Sequence, residues 1–140
     1  MKTSKLLLIF VFFITAFACS SGENEMTETE KYFAEKYNAE LVHVDFKQTE
    51  TKTNGEITEK RQYILVEIIN SMDYDKLVND EKLFQAQCQE IGTFVLDSVE
   101  FDHIPFQPTE LEINYMEKKG SWIFESYNTK TMTFNINHTD

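Results

Sequence analysis

Leu6 to Ala18 is a thirteen-residue run of almost unbroken hydrocarbon, and it decides how much of the chain is left to fold. Lys2 and Lys5 stand before it, and Cys19-Ser20-Ser21-Gly22 follows. A membrane-spanning helix needs roughly 20 apolar residues, so this run is too short to cross a bilayer. A helix apolar all round must be buried all round, and a chain of 140 residues has little core to spare for that. A basic start, a short apolar stretch and small residues at its end form an export signal. Residues 1–18 are therefore expected to leave the fold as a signal peptide. Residues 19–25 become a polar tether, and 26–140 remain for a single α+β domain.

The end of the run permits two cleavage chemistries. Ala16-Phe17-Ala18 suits ordinary signal peptidase, which would release a secreted or periplasmic soluble protein. Ala18-Cys19 suits lipoprotein processing, although Ala16 replaces the usual Leu and Phe17 fills a slot for a small residue. A lone cysteine at this place has no other explanation, so lipidation at Cys19 is the preferred reading. On these residues the segment resembles the signal of a bacterial lipoprotein, with a relaxed box similar to those of Bacteroidota. The resemblance implies acylation of Cys19, palmitate included, and a membrane anchor in the cell envelope. It points to the outer membrane, on its periplasmic or surface face. Glu23, Glu25, Glu28 and Glu30 resemble a surface-export signal placed somewhat later than usual.

Charge narrows the partners. The chain has 13 Lys+Arg and 24 Asp+Glu, a net charge of −11. Loss of Lys2 and Lys5 with the signal takes it to −13. Nucleic acid binding needs the opposite sign, and an anionic membrane surface repels such a body, so membrane residence depends on the lipid. With Cys19 acylated, Cys88 has no disulfide partner, and the domain must be held by its core.

Periodicity supplies the elements. Thr27-Glu28-Thr29-Glu30 reads as a capping box, and Phe33, Tyr37 and Leu41 follow as an apolar stripe. Val42, Val44 and Phe46 alternate with polar residues, and so do Ile64, Val66 and Ile68, with Asn54-Gly55 between. A three-residue loop placing Val44 opposite Ile64 and Val42 opposite Val66 puts both apolar rows on one face. Phe84, Cys88, Ile91 and Val95 mark a main helix over about 80–99, with Gly92 signalling close packing or a break. Pro105 and Pro108 lie in a loop, Leu111, Ile113 and Tyr115 form a strand, and Lys118-Lys119-Gly120 turns the chain. Residues 121–136 return it as one long strand or two. The expected plan is α+β: helix–β-hairpin–helix–β-hairpin, an antiparallel sheet with the helices packed on one face. This order is similar to that of small periplasmic inhibitor and protease-associated modules, a likeness of fold alone.

The sequence offers no catalytic, metal or cofactor motif. His43, His103 and His138 have no neighbouring ligand at metal spacing. Asp73-x-Asp75 begins like an EF-hand, but Leu77, Val78 and Phe84 occupy its ligand and glycine positions. Asp97-Ser98-Val99 resembles an O-glycosylation site of Bacteroidota, and Asn137-His138-Thr139 fits the N-glycosylation pattern. Cys88 reads as a small buried hydrophobe. Aromatics make up 14% of the chain, and Tyr115, Trp122, Phe124 and Tyr127 gather on the last hairpin. Exposed, these four offer a surface for a protein or glycan partner; otherwise they are core. The expectation is a non-enzymatic binding module of the envelope. An inhibitor or immunity-type lipoprotein against a basic envelope hydrolase is the second reading, and an envelope hydrolase the third.

Overall fold

The computed structural model describes residues 25–98, 104–121 and 123–136. Cys19 and the signal segment lie outside the described residues, as do His103, His138 and Trp122. The elements run α1 (Glu28–Lys36), β1 (Leu41–Thr53), β2 (Glu56–Ile69), α2 (Tyr74–Asn79), α3 (Glu81–Ser98), β3 (Glu110–Ser121) and β4 (Phe124–Asn135). The class is α+β.

Helix α1 starts as its sequence predicts. The Glu30 amide donates to Thr27 Oγ1 at 3.2 Å, and the Thr27 amide donates to Glu30 Oε2 at 2.7 Å. Its end is closed by Asn38 at φ 48°, with the Ala39 amide bonded to the Ala34 carbonyl and the Asn38 amide to Glu35.

The four strands lie in the order β1-β2-β3-β4. The two hairpins are antiparallel, but β2 and β3 pair in parallel, Tyr63 beside Glu110 through Ile69 beside Met116. This corrects the expected fully antiparallel sheet. Between β2 and β3 the chain makes a crossover through α2 and α3, and such a crossover returns the next strand in the same direction. The short helix α2 has no counterpart in the expected plan.

The first turn corrects the expected register. Asn54 (φ 54°) and Gly55 (φ 87°) form a two-residue loop, the left-handed pair that a tight hairpin favours. An irregularity between Thr51 and Lys52, where Thr58 is the extra residue, then shifts the pairing. Val44 meets Val66 and Val42 meets Ile68, two residues further than expected but on the same face. The last turn also moves. Strand β3 continues through Gly120, and Ser121 pairs with Phe124. Residues 124–135 are one strand.

Alternate strand residues Val42, Ile64, Val66, Ile68, Leu111, Ile113 and Tyr115 meet Phe33, Leu77, Phe84, Cys88, Ile91 and Val95 in one buried cluster. Gly92 lets α3 approach closely: a β-carbon there would sit 3.2 Å from the Leu111 side chain. Because β2 and β3 overlap over only seven residue pairs, each hairpin overhangs the sheet, and the two arms leave opposite ends.

Candidate functional site

The arm at the β3–β4 end carries two adjacent exposed apolar groups at its tip, while Met72 and Ile57 are exposed singly elsewhere. Ile123 is 61% exposed and Phe124 81%. Gly120 makes this tip possible. Its φ is +107°, and a β-carbon there would collide with the Phe124 carbonyl oxygen. Behind the tip, Lys118 pairs with Glu125 at 2.6 Å and Lys119 with Glu117 at 3.2 Å. The apolar end therefore projects past a neutralised collar.

Of the four aromatics singled out from sequence, Trp122 lies outside the described residues, and the other three do not share one surface. Tyr115 is fully buried, edge-on to Phe84 with centroids 5.9 Å apart, and its hydroxyl accepts a hydrogen bond from Gln87 Nε2 at 2.7 Å. Burial pushes its phenol well above the ordinary range. Phe124 and Tyr127 are both exposed, but they stand three apart on one strand and so point to opposite faces. Ile123 joins the tip although its aliphatic side chain carried no signal in an aromatic count.

The strand residues that alternate with the buried ones include a connected set of paired polar groups. Arg61 donates from Nη2 to Glu110 Oε2 at 2.6 Å and to Glu112 Oε2 at 3.1 Å. Its guanidinium lies 4.7 Å from the Tyr63 ring centroid. Asn114 Nδ2 donates to Glu112 at 3.3 Å, and Thr131 Oγ1 to Asn114 Oδ1 at 2.6 Å. Glu110 and Glu112 thus serve as acceptors for one arginine.

A cleft of about 550 Å³ lies beside β1, lined by Glu30, His43, Asp45, Lys47 and Glu67 among others. Glu30 is spent structurally: its second oxygen accepts the Val44 amide at 2.7 Å. Asp45 is held low by the Lys47 ammonium and by the Phe46 amide. Cys88 is fully buried, and burial pushes its thiol up to about 12. Among the described residues, no group of three or more His, Cys, Asp or Glu is arranged to hold a metal, and no helix is long and apolar enough to cross a membrane. No family model, no curated protein and no solved structure matches this chain.

Proposed function

We propose that this chain is a lipid-anchored cell-envelope protein that docks onto another macromolecule, an envelope protein or a glycan, through its β3–β4 arm, without catalysing a reaction. The observation that carries the docking is the exposure of Ile123 and Phe124 at the end of a projecting hairpin. Apolar groups so exposed on a chain of net charge −11 are contact surface, because a solubilising role is already met by charge. In this reading the helices gather on the face that buries Tyr115. The lipid at Cys19 holds the acidic body at a membrane it would otherwise leave.

Both halves are testable in the cells that export the chain. Palmitate labels the wild type and not Cys19→Ala; equal labelling of both removes the anchor. A photo-crosslinking residue at Ile123 gives discrete adducts, while one at Lys52 on the β1–β2 arm does not. Equal yields from the two arms defeat the docking assignment.

A further inference from the structure

The two edges of the sheet are treated differently. Along β1 the outward amides of Val42, Val44 and Phe46 donate to Met26 Sδ (3.5 Å), Glu30 Oε1 (2.7 Å) and Asp45 Oδ1 (2.8 Å). That stretch of the edge, Val42 to Phe46, is closed. Along β4 the outward groups follow from parity. The Met116 carbonyl accepts from Asn70, and the Lys118 amide donates to the Asn70 side chain, so even-numbered β3 residues turn their backbone toward β2. Odd-numbered β3 residues then bond β4, and through the pairing of Tyr115 with Lys130 they bond its even positions. Glu125, Tyr127, Thr129, Thr131 and Thr133 point their amides and carbonyls away from the sheet. Among the described residues no side chain takes up these amides. The strand has no proline and pairs with β3 without a bulge.

Next to this open edge, a groove of about 380 Å³ lies between α3 and β4, walled by Gly92, Thr93, Leu96, Leu111 and Phe134. Phe124, 81% exposed, falls on the same side of the strand as Phe134. One molecule therefore carries an exposed aromatic knob and an apolar groove along a single edge strand.

We infer that two copies pair β4 to β4 antiparallel about a twofold axis at Thr129, each placing its Phe124 against Phe134 and the groove of the other. The inference rests on the reading of the arm as a docking element and names a second copy as what it meets. The register is selective. Outward odd positions can face only outward odd positions, so the two alignments that use nearly all of Phe124–Asn135 are centred on Thr129 and on Lys130. Centring on Lys130 sets Ser126 rather than Phe124 opposite Phe134, so the exposed ring misses the groove. Centring on Thr129 sets Lys130 opposite Asn128, Glu125 opposite Thr133, Tyr127 opposite Thr131 and Phe124 opposite Phe134. β4 carries one acid, Glu125, and one base, Lys130, so the acidic chain meets its copy along a strand without net charge. The contact is self-complementary and closes.

The test uses the full chain carrying Cys19→Ala, so that Cys88, which is buried, is the sole native thiol. Directly opposed residues in a hydrogen-bonded antiparallel pair have Cα atoms about 5.5 Å apart, within disulfide reach. Thr129→Cys is expected to give a covalent dimer under mild oxidation, and Thr133→Cys, which faces Glu125, is not. In sedimentation, Thr129→Lys, which opposes itself, is expected to raise the dimer dissociation constant by about fivefold or more. A chain that sediments as a monomer at its highest soluble concentration and forms no Thr129→Cys dimer overturns the self-pairing. If that monomer still yields Ile123 adducts with a different protein, the docking reading survives alone; if it yields none, both fall. Equal crosslinking from Thr133→Cys rejects the Thr129 register.

Discussion

At the residue scale, legibility depended on whether a side chain's surroundings were local. Thr27 and Glu30 make a capping box within one turn, so the sequence announces it. Tyr115 alternates with Leu111 and Ile113, and the same alternation that makes it a strand residue puts it on their buried face. Its aromatic character pointed outward only when it was grouped by proximity with Trp122, Phe124 and Tyr127. Cys88 stands on the stripe of Phe84, Ile91 and Val95 and is fully buried with them. Cys88→Ala should cost about 1 kcal/mol at neutral pH, since little volume is removed. The native thiol, pushed from 9.0 to about 12 by burial, favours the folded state in its neutral form. That contribution is whole below pH 9 and fades as pH rises from there toward 12. The deficit of Cys88→Ala, measured by urea denaturation, should therefore narrow above pH 9; a deficit that widens contradicts the burial. Gly120 gives a second residue-scale expectation. Gly120→Ala strains a positive φ and meets the Phe124 carbonyl, so it should cost about 1–3 kcal/mol. Faster amide exchange should be confined to the arm, and loss spread through α3 would contradict a local role.

At the element scale, strands and helices were readable from period, and their pairing was not. Alternation fixes which face a residue occupies but not its partner, and a slip of two preserves every face. That is why alternation alone can set Val44 against Ile64 when Val66 is its neighbour. The extra residue at Thr58 is invisible to a pattern search because Ile57-Thr58-Glu59 lies in an arm with no buried side to register. The closing of the β1 edge was equally hidden: Glu30 looked like a capping residue, and only the fold brings Val44 to its free oxygen. This dual bonding makes Glu30 the joint between α1 and β1. Glu30→Ala leaves the Thr27 and Val44 amides without acceptors in a site only 7% exposed. A loss of about 2–3 kcal/mol is expected, in the range for charge-assisted hydrogen bonds. A loss below about 0.5 kcal/mol in urea denaturation would show that the joint carries no stability.

For the whole molecule, the hairpins were legible but the parallel contact between them was not, because the direction of β3 is decided by how residues 70–109 cross the sheet. The charge was legible in full, and it separates the possible partners by sign. Raising salt from about 0.01 to 0.15 M shortens the screening length from about 30 to 8 Å. Two copies of a chain near −11 repel at long range, so added salt should tighten β4 self-pairing. A basic hydrolase bound in the manner of an inhibitor would be attracted, and salt should then slow its association. An uncharged glycan or protein patch gripped by Ile123 and Phe124 should hardly respond to salt. In that case Phe124→Ala should weaken binding by about 2 kcal/mol, as a contact hot spot does. Dissociation constants measured at the two salt concentrations, for self-association and for any captured partner, assign the interaction by direction alone. Self-association that weakens as salt rises would mean that opposite charges, rather than the β4 edge and its Phe124, hold the two copies together.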